Sequence, residues 1–94
     1  MKTHLIIHDP QDCVGVVVTD KVQPNEQLNA WVMDNDETVR VEAKNEVLLG
    51  HKVALKDLDV GDTIIKYGND IGKVVQKIRK GEHVHVHNVK TKRW

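Results

Sequence analysis

The spacing of turn signals constrains this chain more than any other feature of its sequence. Asp9-Pro10, Pro24-Asn25, Asp34-Asn35-Asp36, Leu49-Gly50, Val60-Gly61-Asp62, Gly68-Asn69-Asp70 and Lys80-Gly81 interrupt it at intervals of roughly ten residues. Short apolar runs lie between them, and no segment sustains helical periodicity for three turns. The chain therefore reads as all-β, a small compact barrel-like domain. Strands are expected at Leu5 to Ile7, Val14 to Val18, Thr38 to Ala43, Thr63 to Tyr67, Lys73 to Ile78 and His83 to Val89. Short helical turns are expected over 11–14, after Pro10, and over 55–58. No repeat or linker is evident, and residues 1–94 read as a single domain.

The size of the chain limits what it does alone. Ninety-four residues leave room for one modest core, so a site built from this chain only would be a shallow surface. That favours a module working against something else. The 14 basic and 14 acidic residues balance and are interspersed until the basic run Lys90 to Arg93. Three aromatics, Trp31, Tyr67 and Trp94, are too few for a base-stacking platform, so no nucleic-acid partner is expected. Cys13 is the single cysteine, which rules out an intramolecular disulfide and suits a reducing compartment. It reads as a packed thiol. The apolar run at the start is too short for a signal peptide, and nothing approaches a membrane span. A cytoplasmic protein with no membrane partner is the expectation.

Three stretches carry candidate chemistry. In His83-Val84-His85-Val86-His87-Asn88, half of the six histidines fall within five residues. On a strand they share one face, with neighbours roughly 6.5–7 Å apart, close enough for two imidazoles to reach one ion. All three span about 13 Å, too far for one ion on a straight strand. An exposed polar strand face is the plain alternative. Gly50-His51-Lys52 places an imidazole and an ammonium at the start of an apolar stretch, the first suited to proton transfer and the second to holding an anion. Lys66-Tyr67-Gly68 offers a cation and a phenol at the lip of a short turn between two strands. Metal-binding Cys-x-x-Cys pairs and glycine-rich phosphate loops are absent.

These pieces, in this order, resemble the SAF-type domain of the altronate/galactarate dehydratase family. The likeness runs through Gly50 to Leu55, Ile65 to Gly68, Ile71-Gly72, Gly81-Glu82 and Val84 to Asn88. It implies a β-clip fold and a place as the small subunit of a two-component hydroxyacid lyase, inactive without a large catalytic subunit. It further implies an anionic 2-hydroxy acid substrate and a divalent metal, Fe2+ by analogy, held mainly by the large subunit. Elimination of sulfite from sulfolactate to give pyruvate is the leading expectation for a free-standing domain of this type. Dehydration of altronate or galactarate is the alternative, and a non-catalytic SAF binding module the third. The resemblance assigns catalytic roles to His85, His87 and His51, metal ligation to His85 and His87, and substrate binding to Lys52, Lys66, Tyr67 and Asn88. It does not extend to His83.

Overall fold

The computed structural model describes residues 2–66, 69–85 and 87–91. Eleven short strands form three sheets: β1 (Leu5–Ile7), β2 (Val14–Val17), β3 (Lys21–Val22), β4 (Gln27–Val32), β5 (Glu37–Glu42), β6 (Val47–Leu48), β7 (Lys52–Ala54), β8 (Thr63–Lys66), β9 (Asn69–Val74), β10 (His83–Val84) and β11 (Val89–Thr91). The largest sheet runs β10-β7-β2-β1-β4-β5, the second β11-β9-β8, and β3 pairs with β6 alone. Every pairing is antiparallel except that of β1 with β4. No helix among the described residues is long and apolar enough to cross a membrane.

Alternation of side chains produces two adjoining cores. Leu5 and Ile7, Leu28, Ala30 and Val32, and Val53 point inward from the large sheet and bury one cluster. Cys13, Val14, Ile64, Val74, Ile78, Val84 and Val89 bury the second, under the smaller sheet. Apolar burial of this kind contributes roughly 25 cal/mol per Å² removed from water, which sets the strand register against slippage. Cys13 is packed, as its surroundings predict.

Four features differ from the sequence reading. β4 was not anticipated, because Gln27 and Asn29 dilute an alternation whose inward members Leu28, Ala30 and Val32 are all buried. The strand expected at 73–78 lies earlier, at Asn69–Val74. The turns expected to be helical at 11–14 and 55–58 are a non-helical turn leading into β2 and a bend after β7. A repeat does exist, although only four or so positions carry it. Val22 to Leu28, Leu58 to Ile64 and Ile78 to Val84 each run apolar, two spacers, Asn or Gly at positive φ, acid, spacer, apolar. In each, the carboxylate accepts the backbone N–H three residues back, at 3.0, 2.8 and 2.6 Å. The apolar residue at either end of each module is buried.

Candidate functional site: a group of imidazoles beside a buried lysine

The third of these turns delivers the chain into β10, which pairs with β7 through His83↔Val53 and Val84↔Lys52. The strand then stops. It does not continue to Val89 as the alternating pattern suggested, because Asn88 supplies competing local hydrogen bonds. Its side-chain carbonyl accepts the His85 N–H at 3.0 Å, and its amide N–H donates to the His83 carbonyl at 2.8 Å. The amide orientation follows from its partners, since one can only donate and the other only accept. The His85 carbonyl in turn accepts from the N–H groups of Asn88 and Val89. Val86 lies outside the described residues.

The histidines therefore meet by chain reversal and not by strand periodicity. Nδ1 of His51 lies 2.9 Å from Nε2 of His83. The rings of His51 and His85 stack at 4.2 Å, those of His83 and His85 at 5.7 Å. His87, exposed, tilts against His83 with ring centres 5.0 Å apart. One ring nitrogen from each of His51, His83 and His85 lies within 4.8 Å of the others. His83, which the sequence resemblance left out, is thus central to the group, and His87 stands at its outer side. The clustering of three histidines in five residues was the available signal for His83 and His85; no sequence signal placed His51 against them.

Burial and crowding favour the neutral form of two of these rings, His83 and His85. Burial, then the neighbouring His87, His51 and His85, push His83 down from 6.5 to about 4. His85 is also lowered, by burial first, then by His51, Lys52 and His87. A neutral imidazole has a free lone pair on one nitrogen, which suits it to accept a proton or a metal ion.

Lys52, expected to hold an anion or to lie on the exposed side of a strand, is buried, with only 7% of its surface exposed. Burial, and the ammonium of Lys66 beyond that, lower its pKa. Lys66, at the end of β8, also lowers His8, where burial dominates and Asp12 opposes. Asp12 is itself buried and accepts the N–H groups of His8 and Asp9. From His85 through Lys52 and Lys66 to His8, imidazoles and ammonium groups lie within electrostatic reach of one another, with the Asp12 carboxylate at the His8 end. His8 and Asp12 had not been singled out from sequence. Asn88 has both ends of its amide engaged on the histidine loop. Tyr67, the remaining substrate-binding candidate, lies outside the described residues.

Comparison with known proteins follows these features closely. The family model for the altronate/galactarate dehydratase SAF domain matches residues 3–92. The (2R)-sulfolactate sulfo-lyase subunit alpha of Chromohalobacter salexigens is 54% identical over 94 residues, covering all of both chains. The subunit of the same name from Paracoccus pantotrophus is 54% identical over 63 residues, 67% of this chain and 94% of that one. The altronate dehydratase of Bacillus subtilis is 42% identical over 97% of this chain, which corresponds to only 17% of the dehydratase. The chain belongs to the altronate/galactarate dehydratase SAF-domain family.

Proposed function

We propose that this chain is the small subunit of a two-component hydroxyacid lyase that eliminates sulfite from (2R)-3-sulfolactate to give pyruvate. The observation that carries the reading is full-length likeness to a sulfo-lyase subunit alpha, in a chain whose imidazoles converge beside a buried lysine. In the reaction the C2 proton passes to a base, the C3–S bond breaks with its electron pair leaving on sulfite, and the resulting enol becomes pyruvate. The large subunit supplies the base and most of the pocket.

Lys52 and Lys66 hold the two anionic ends of the substrate. Lys52 is largely withdrawn from water and feels the positive charge of Lys66, so a bound anion favours its charged form. His51, His85 and His87 hold and move protons at the substrate oxygens, with His87 reaching toward the large subunit from the exposed side. Asn88 fixes the loop that aims His85. His51, His83 and His85 suit a divalent ion of the iron class: three imidazole nitrogens lie close enough to converge on one ion after small ring movements. Such an ion, completed by ligands of the large subunit, supplies Lewis-acid stabilisation of charge developing on the substrate.

The test is reconstitution. This chain mixed with the large lyase subunit releases sulfite and pyruvate in equal amounts from (2R)-sulfolactate, and neither subunit does so alone. Water loss from altronate or galactarate without sulfite release transfers the chain to the sugar-acid dehydratases. An inactive mixture on all three substrates overturns the lyase reading.

A further inference from the structure

Seven large apolar side chains are exposed among the described residues, and they are not scattered evenly. Leu48 and Leu49 are 51% and 57% exposed, at a turn whose last residue is His51: the His51 N–H donates to the Leu48 carbonyl at 3.0 Å. Val18 adjoins them, because Val17 accepts from Gly50 and donates to the His51 carbonyl. Across the imidazole group, the N–H of exposed Val75 donates to the carbonyl of Asn88, and Val60 precedes Gly61, which donates to Val74. Five of the seven thus lie on segments bound to those that hold the histidines, or next to them. Met33 and Val39 lie in or beside the β4–β5 hairpin, at the end of the large sheet's strand order.

We infer that the Leu48–Leu49 turn, with Val18 beside it, is the principal anchor by which the large lyase subunit docks. This rests on the proposed function and deepens it by naming the contact. Apolar side chains held in water beside polar catalytic groups lower the free energy when a partner covers both. The occupant follows from continuity: whatever completes a pocket over His51 also covers the turn that ends in His51. The relative matched over its full length is named a subunit alpha, which implies a second subunit to cover this edge. Leucines at the edge of the site hold such a partner without entering the chemistry.

The experiment titrates the purified large lyase subunit with the wild-type chain, with Leu48→Ser/Leu49→Ser, and with Val39→Ser, following affinity by calorimetry and sulfite release at saturation. The double variant is expected to bind about thirtyfold more weakly or worse, the loss typical of an interface hot spot. At saturating concentration its turnover returns to near wild type, and Val39→Ser binds as wild type does. Should the double variant lose its fold by circular dichroism, Leu49→Ser alone, at the turn tip, carries the test. Unchanged affinity of the double variant overturns the inference while leaving the lyase reading intact. Equal weakening by Val39→Ser also overturns it, as does a wild-type chain that uses these leucines to pair with a second copy of itself. A wild-type chain that does not bind the large subunit at all removes the underlying reading.

Discussion

Residues 52–65 and 72–85 are two versions of one structure, offset by twenty positions and related by a local two-fold. Leu58 and Ile78 exchange both backbone hydrogen bonds, at 2.8 and 2.9 Å. Gly61 donates to the Val74 carbonyl and Gly81 to the Ala54 carbonyl, at 2.8 and 2.9 Å. Val74 donates to the Asp62 carbonyl and Ala54 to that of Glu82, both at 2.9 Å. Ile64 and Val84 end the paired turns fully buried. Where the copies part is where the proposed chemistry lies. Thr63 and Ile65 in one copy stand where His83 and His85 stand in the other. The first copy continues as β8 to Lys66, while the second ends at Val84 and curls under Asn88. The turn is scaffold; the imidazoles are an addition to one end of it.

The largest effect separating the copies is expected in turnover. In the reconstituted complex, His85→Ala or His87→Ala lowers sulfite release by about 10²- to 10⁴-fold, the range typical of a lost proton-transfer group, while the thermal midpoint of the free chain stays near wild type. Ile65→Ala, at the position matching His85, does the reverse. Ile65 packs against the second core, so its truncation costs about 1–3 kcal/mol of stability and leaves turnover per folded complex unchanged. Histidine variants with wild-type turnover break the assignment of chemistry to the second copy.

A smaller difference is expected at the paired glycines. Both have positive φ, +93° at Gly61 and +91° at Gly81, where an L side chain is strained. Around Gly61 the space is open, so Gly61→Ala costs only the backbone strain, about 1–2 kcal/mol. A Cβ at Gly81 would collide with the carbonyl oxygen of Glu42 at the end of β5. Gly81→Ala is therefore expected to cost about 3 kcal/mol or more, since strain and overpacking act together. Denaturant unfolding of the two variants measures the gap. Equal losses would mean that the turn at Gly81 does not depend on its close approach to β5.

This pairing also explains what the sequence disclosed and what it hid. Turn residues such as Pro24-Asn25, Gly61-Asp62 and Gly81 are readable one at a time, because each backbone conformation needs its own residue type. Strands with clean apolar runs, Val14 to Val17 or Thr63 to Lys66, are equally plain. β4 was hidden because its outward residues are polar amides and a tryptophan, and its partner β1 is remote in sequence. The repeat was hidden because its identity resides in a hydrogen bond that aspartate and glutamate make alike and in a positive φ that glycine and asparagine both adopt. The histidines of 83–87 were visible as a group, and the approach of His51 to them was not. Alternation assigns His83, His85 and His87 to one strand face, whereas the Asn88 side chain ends that strand after Val84 and His51 joins from the turn before β7, the neighbour of β10. A local side-chain contact overrode the periodicity from which the geometry was inferred.

The mildest effect expected is on the pH dependence of the free, metal-free chain, and it again sets His83 against Thr63. An exposed imidazole titrates near 6.5, while His83 in the folded chain is held down at about 4. Between those values the unfolded chain binds a proton that the folded chain refuses, so stability rises with pH across the window. The contribution is fully present above 6.5 and is lost as pH falls through the interval toward 4. His85 and His8 are lowered as well and act in the same direction. His83 is only partly buried, so solvent screening keeps the change small, on the order of a few degrees in midpoint. Thermal unfolding of wild type and His83→Thr at pH 7 and at pH 4.5 isolates it, because the variant restores the residue that its twin position carries. The wild type is expected to lose more on acidification than the variant does. An equal loss in both would mean that His83 is not held neutral by its neighbours, and that the crowding of imidazoles on the second copy has no cost in the free chain.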